Sequence, residues 1–251
     1  MNRTVERAFS ILQLIGDSKQ GITLQEIANE MDMAKSSAFV IVQTLLELGY
    51  LSTVQNNNKK YCLGIETFSL GMKYVNDMSL VSQCSIHLPP VAEKYSKTAF
   101  VAVLNGSKIV YVYKYVAQNA KLASCALGTR KDAYATSLGK AILAFLPREE
   151  QEELLEKLQF RALTQYTITS REKLEEELAK TRQRGYSLDV RELEDITSCC
   201  GAPVFDYSGR VVAAVSLSDI YNENLDDEKV AEDLKEVAMQ ISKELGYMPK
   251  A

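Results

Sequence analysis

Short polar side chains gather near residue 35, where a helix is expected to begin. Lys35 is followed by Ser36, Ser37 and Phe39. A helix that projects such groups from its first turns can enter the major groove of DNA, where hydroxyl groups reach base edges and a cation reaches phosphate. The pattern therefore indicates a nucleic-acid contact. Four further cations are candidates for phosphate contacts: Arg3, Arg7, Lys59 and Lys60.

A second chemically suggestive segment is Thr136-Ser137-Leu138-Gly139. The threonine and serine are typical helix caps, and the free N–H groups at a helix start attract anions. Lys140 follows Gly139, but no glycine stands five residues earlier, so the phosphate-loop spacing is not met. A plain cap for the Ser137 helix and a small-anion site are both open interpretations.

Enzymatic chemistry is the main rival to a binding function. Cys199 could serve as a nucleophile near Asp189, but the only imidazole is His87, which falls in a different predicted helix. Five cysteines without a CxxC pair give neither a zinc site nor a disulfide framework. We therefore expect no catalytic site, no metal and no cofactor, and interpret Cys199 as a buried structural thiol.

Composition narrows the class of protein. The chain has 251 residues, 46% of them hydrophobic, which is enough for two domains with real cores. It contains neither an apolar run long enough to span a membrane nor a signal peptide, so we expect a cytoplasmic protein without membrane contact. The net charge of −4 does not favour nucleic acid, although acidic and basic residues balance within residues 1–64.

The spacing of apolar residues predicts three helices at the N-terminus. The first runs from about Thr4 to Ile15, and a capping box of Thr23 and Glu26 opens a second that reaches about Met31. A third opens at Ser36-Ser37 and ends at Gly49. Its predicted apolar side comprises Phe39, Val42, Leu45, Leu46 and Leu48.

Two short strands and a further helix should follow. Tyr50–Val54 and Lys60–Leu63 flank an asparagine-rich segment, and asparagine tolerates the positive φ of hairpin turns. Three helices and a hairpin form a winged helix-turn-helix, which we assign to residues 1–64. A helix over Ile65–Val75 then predicts a linker at residues 65–78.

Residues 79–251 show the pattern of an α/β domain with a mainly antiparallel sheet, so the chain as a whole is a two-domain α/β protein. A helix over Ser79–Tyr95 is expected to be interrupted at Pro89-Pro90. Asn105-Gly106 predicts a hairpin between two alternating strands. Further helices are predicted at Ser137–Leu146, Arg148–Leu158, Ser170–Arg184 and along the C-terminal face of Val230, Leu234, Val237, Ile241 and Leu245; strands are predicted at Tyr186–Asp189, Cys199–Phe205 and Val211–Ser218.

Five stretches in order resemble the IclR family of transcription regulators. They are Arg3–Leu12, Ala34–Leu51, Ala135–Ala144, Gly185–Asp189 and Cys199–Ser218. The resemblance implies a helix-turn-helix that binds operator DNA, a GAF-like effector domain that binds a small molecule, and a homodimer or homotetramer.

The resemblance also implies an effector pocket and two departures from the family pattern. The pocket residues would be Ser137, Leu138, Asp189, Cys199, Ser216 and Ser218, small polar groups suited to a small organic acid or a hydroxylated metabolite. The family usually has arginine at the position of Val40 and often histidine at the position of Tyr134, at the pocket edge. Two other interpretations remain: a helical module for packing or dimerisation, and a ligand-binding module that acts through protein partners alone.

Overall fold

The computed structural model describes residues 2–18, 20–54, 57–76, 79–121, 125–223 and 227–248. The chain forms two compact units, residues 1–77 and 78–251. Among the described residues, no helix is both long enough and apolar enough to cross a membrane.

The first unit contains three helices, a small antiparallel sheet and a fourth helix. These are α1 (Arg3–Asp17), β1 (Ile22–Thr23), α2 (Leu24–Glu30), α3 (Lys35–Glu47), β2 (Leu51–Val54), β3 (Asn57–Leu63) and α4 (Ile65–Asn76). The sheet order is β1-β3-β2. The predicted winged-helix order is confirmed, and β1 is an additional short strand that the sequence did not indicate.

Local sequence explains where these helices begin and end. Thr23 and Glu26 form the predicted capping box at the start of α2, and Gly49, with φ of +75°, follows the end of α3. The core is apolar, with Ile11, Ile15 and Val42 among its buried members.

The wing differs from its prediction. Asn57, Asn58 and Lys59 belong to β3 rather than to a turn, and none of them has positive φ. The connection is shorter than the asparagine run suggested because the strand continues through it. The predicted turn residues Gln55 and Asn56 lie outside the described residues.

The second unit is built around a six-stranded sheet. Its elements are α5 (Ser79–Tyr95), β4 (Thr98–Asn105), β5 (Lys108–Val116), β6 (Arg130–Asp132), a 3-10 turn (Ala133–Ala135), α6 (Ser137–Phe145), α7 (Arg148–Lys157), α8 (Arg171–Arg184), β7 (Ser187–Val190), β8 (Thr197–Phe205), β9 (Val211–Ile220) and α9 (Asp227–Glu244). The strand order is β6-β5-β4-β9-β8-β7, and every pair is antiparallel.

Alternation along the strands fills a core on each face of the sheet. Val101 and Val215 pack in one core with α5 and α9. Phe100 and Ala214 belong to the other, with α6 and α8. The predicted helices and strands of this unit are confirmed to within a few residues.

Helix α5 is continuous, so the predicted interruption at Pro89-Pro90 is wrong. Each proline removes one backbone hydrogen bond. The helix nevertheless continues, and Cys84, Leu88 and Val91, which lie on both sides of the prolines, are buried in the same core.

Two glycines allow α6 to lie close to its neighbours. A Cβ at Gly139 would stand 2.1 Å from the Ala133 carbonyl oxygen, and one at Gly201 would stand 2.8 Å from the Ser137 carbonyl group. The start of α6 is therefore held against strand β8 by backbone contact.

Candidate functional site

A cavity in the second unit brings together all six residues of the predicted pocket. It lies between the start of α6 and strands β7, β8 and β9. The cavity is small, with a volume of about 30 Å³. The residues lining it are Phe100, Tyr111, Cys125, Thr136, Ser137, Leu138, Asp189, Leu193, Glu194, Thr197, Cys199, Ser216 and Ser218.

The start of α6 is fixed by side chains that cap it and hold its backbone. Thr136 Oγ1 accepts a hydrogen bond from the Gly139 N–H at 3.0 Å, and the Ser187 hydroxyl donates to the Ser137 carbonyl. The N–H groups of Ser137 and Leu138 belong to the first turn, whose donors a helix leaves without an intrahelical acceptor. Both residues line the cavity, so the start of α6 is the part of the helix that borders it.

The strands contribute the hydroxyl and thiol groups. Ser216 and Ser218 lie two residues apart on β9, so their side chains share one face of the sheet. Cys199 is paired with Ser218 across β8 and β9, and its thiol donates to the Ser218 hydroxyl at 3.1 Å. This face of the sheet is the polar floor of the cavity.

Asp189 is the buried carboxyl group of the cavity, with 1% of its surface exposed. Burial raises its pKa to about 7, while the charge of Lys140 acts in the opposite direction. Its Oδ1 accepts from the Glu192 N–H at 2.9 Å. At neutral pH the carboxyl group can therefore be either protonated or ionised.

Next to Asp189, Lys140 is fully buried and forms an ion pair with Glu192. Burial raises the pKa of Glu192, and Lys140 opposes that change. Among the described residues, Glu192 Oε2 has no hydrogen-bond partner. This pair could not be predicted from the sequence, in which Lys140 stood out only as a possible phosphate-loop lysine, because Glu192 is distant in sequence.

The segment after β7 covers one side of the cavity and is held by several contacts. Arg191 has φ of +66°, and its guanidinium lies 4.3 Å from the Tyr166 ring centroid and 5.1 Å from that of Tyr221. The Thr167 hydroxyl donates to the Glu192 carbonyl at 2.7 Å. These contacts position Leu193, Glu194 and Thr197, which line the cavity.

The chemistry of Cys199 does not support nucleophilic catalysis. Burial raises the pKa of this thiol well above its ordinary value, and Asp189 adds to the increase. The reactive species of a catalytic cysteine is the thiolate, which this environment disfavours. His87, the only histidine of the chain, lies on α5 and is absent from the cavity lining.

Tyr134 does not stand at the cavity edge, so that placement is wrong. It is buried, and its hydroxyl donates to the Arg161 carbonyl at 3.0 Å and accepts from the Arg161 N–H at 2.9 Å. These two hydrogen bonds hold the segment that follows α7 against the core.

About half of the residues that line the cavity were not predicted from the sequence. Phe100 and Tyr111 form an edge-to-face pair with ring centroids 5.2 Å apart. Both lie in the predicted hairpin strands, and Phe100 is directly paired with Ser216. Alternation along the strands indicates which side chains share a face of the sheet. Only the strand order of the fold shows that these two rings lie near β9.

The candidate nucleic-acid surface lies on the outward side of α3. Lys35, Ser36 and Ser37 are exposed on its first turn. Phe39 is 48% exposed and Leu48 57% exposed, so their assignment to the apolar side of the helix was wrong. Ala38 and Ile41 occupy the buried side instead, because the buried stripe follows the i, i+3, i+4, i+7 spacing from Ala38, which leaves Phe39 outside it.

The remaining predicted cations lie on other elements of the first unit. Arg3 and Arg7 are exposed on the first two turns of α1, and Lys59 is exposed on β3. Lys60 is half-buried and paired with Thr23 across the sheet. The predicted cations therefore lie on three elements: α1, α3 and β3.

Comparison with known proteins gives a consistent result over both units. The model of the IclR helix-turn-helix domain matches residues 4–55, and that of the bacterial transcriptional regulator IclR C-terminal domain matches residues 72–243.

Individual relatives cover almost the whole chain. It is 32% identical over 249 residues to the HTH-type transcriptional regulator XynR of Escherichia coli K12, covering 98% of each protein. It is 31% identical to KdgR of the same organism, covering 97% of this chain and 93% of the relative. The crystal structure of the Thermotoga maritima IclR matches with a TM-score of 0.76 and 31% identity, covering 98% of this chain and 99% of that one.

Proposed function

The chain belongs to the IclR family of bacterial transcription regulators, DNA-binding proteins with an effector-binding C-terminal domain, and we propose that its own effector is a small hydroxylated organic acid or sugar acid. In this proposal residues 1–64 bind operator DNA, residues 65–78 connect the domains, and residues 79–251 bind the effector. The DNA contacts come from Arg3, Arg7, Lys35, Ser36, Ser37, Phe39, Lys59 and Lys60. Such a regulator acts in the cytoplasm, where its DNA is.

The chemistry of the cavity carries the proposal about the effector. Among the described residues that line it, none is a lysine or arginine, so a carboxylate there would be held by the N–H groups at the start of α6 and by hydroxyl groups. Ser137, Ser216 and Ser218 supply hydroxyl groups. A ligand with a carboxylate at one end can thus bind without a paired cation.

Asp189 adds a second requirement to the ligand. An ionised Asp189 would repel a carboxylate, so a hydroxyl group of the ligand should face it and donate a hydrogen bond. With a pKa of about 7, Asp189 can also bind as the neutral acid. The small free volume favours a compact ligand and some adjustment of the lining on binding.

The test is a thermal-shift screen of organic acids and sugar acids against the full-length protein. A compound that stabilises the protein is then measured against Ser216→Leu, Ser218→Leu, against the milder Ser216→Ala, Ser218→Ala, and against a control, Ser82→Leu, Ser85→Leu, with exposed serines on α5. We expect binding to be lost or weakened in the two cavity variants only. Unchanged binding in both cavity variants would place the effector elsewhere.

We further propose that the protein is at least a homodimer, as a dimer or a tetramer. One winged helix reads only half of a palindromic site. Helix α4 exposes Ile65 at 72%, Phe68 at 64% and Leu70 at 53%, which are apolar groups that a second copy would cover. Sedimentation showing a monomer at micromolar concentration, with and without DNA, would contradict this.

A further inference from the structure

The centre of the outward face of α3 is apolar. On the inward side, α3 buries Ala38, Ile41, Val42 and Leu45. At about 3.6 residues per turn, the opposite side of the helix carries Val40. Val40 is 65% exposed, more than any other apolar side chain of this helix. Most of the Val40 side chain is therefore open to a binding partner.

The neighbours of Val40 limit what this face can recognise. Lys35 is its only cation, and the helix contains no arginine or asparagine. Thr44, one turn after Val40, donates its hydroxyl to the Val40 carbonyl at 2.9 Å, so that hydroxyl is already engaged by the helix backbone. Of the side chains that commonly read guanine or adenine with paired hydrogen bonds, this helix carries only Lys35 and the half-buried Gln43.

We propose that Val40 determines sequence specificity by contacting the C5-methyl group of thymine in the major groove. Thymine is the only base that presents an apolar group there, and aliphatic side chains recognise it by contact. The inference rests on the proposed binding of DNA through α3. It predicts that the operator has a thymine opposite Val40 in each half-site.

The experiment first selects a binding site from random duplex DNA with the full-length protein. Each thymine of the selected site is then replaced by uracil, which keeps the base pair and removes only the methyl group. Affinities are measured for the unmodified protein, for Val40→Ala, and for Val116→Ala, which changes an exposed valine in the second unit. Because alanine favours helix and residue 40 is exposed, Val40→Ala should fold normally.

We expect one thymine per half-site whose replacement weakens binding by the unmodified protein and by Val116→Ala about three- to fourfold, the effect of one buried methyl group. Val40→Ala should bind both duplexes equally.

Selected DNA that tolerates uracil at every position would overturn the inference and leave the proposed function intact. The inference would also be overturned if Val40→Ala still bound the thymine duplex more tightly than the uracil duplex. This holds even if its affinity for both duplexes fell by the same factor. A protein that selects no sequence would overturn both the inference and the proposed function.

Discussion

The two units place their polar chemistry in opposite environments. Among the described residues of the first unit, no serine, threonine, amide or charged side chain is buried, and the groups suited to DNA are exposed on α1, α3 and β3. In the second unit Lys140, Asp189, Ser216 and Ser218 are all buried around or beside one cavity. Polar groups on a surface that binds DNA can form hydrogen bonds with water until the DNA binds. Buried polar groups must instead find their hydrogen-bond partners within the protein.

This difference predicts that substitutions in the second unit affect folding and those on α3 affect binding. The largest effect should come from Lys140→Met, which removes the partner of the buried Glu192. Breaking a buried ion pair from one side costs about 3–5 kcal/mol. We expect the free energy of unfolding in urea, followed by circular dichroism, to fall by that order.

Two control variants sharpen this test. Lys94→Met breaks the pair with Asp233, in which the lysine side chain is 57% exposed, and should leave the free energy of unfolding nearly unchanged. Lys140→Met, Glu192→Leu should recover much of the stability, because no buried charge is left alone. If Lys140→Met alone were as stable as the unmodified protein, the buried pair would have no such role.

The second effect is the pH dependence contributed by Asp189. Its folded-state pKa of about 7 lies above its ordinary value of about 3.9, so between these two pH values the native state binds the proton more tightly than the unfolded state. The stability contributed by this group therefore falls as the pH rises from about 4 to about 7, by about 2–4 kcal/mol, and is constant above.

Asp189→Asn should lack this dependence. As the pH rises from 5 to 8, the free energy of unfolding of the variant should therefore increase relative to that of the unmodified protein. An asparagine oxygen can still accept from the Glu192 N–H, which limits other changes. Parallel stability profiles for the two proteins would contradict the buried-carboxyl account.

A smaller effect is expected from the exposed residues of the first unit. Lys35→Ala should leave the free energy of unfolding unchanged and reduce the slope of log affinity against log salt by about one unit, because one phosphate contact is lost. Lys243→Ala, an exposed lysine on α9, is the matched control. An unchanged slope in Lys35→Ala would remove Lys35 from the DNA interface.

The sequence predicted the order of helices and strands well because each element carries its own periodicity and caps. The Thr23 and Glu26 capping box and the C-terminal helix with Leu234 and Ile241 are examples. Errors arose where tertiary structure overrides local preference. Pro89-Pro90 continue a helix that is held by packing, and the asparagines of the wing extend a strand.

The helix start at Thr136-Ser137 was predictable from its own residues, and the rest of the predicted site came from family resemblance. Resemblance identified Asp189, Cys199 and Ser216, and the structure brings them together. The aromatic pair of Phe100 and Tyr111 and the ion pair of Lys140 and Glu192 depend on contacts between distant segments, for which one sequence gives no spacing rule. Tyr134 faces the core instead of the cavity for the same reason.

We propose that occupation of the cavity by the effector changes the affinity of the first unit for DNA. The most direct measurement is fluorescence anisotropy of labelled operator DNA with the full-length protein, with and without an organic acid found in the thermal-shift screen. We expect the operator affinity to change about 5- to 150-fold, with no change in Ser216→Ala, Ser218→Ala. An acid that binds in the cavity and leaves operator affinity unchanged would contradict the account.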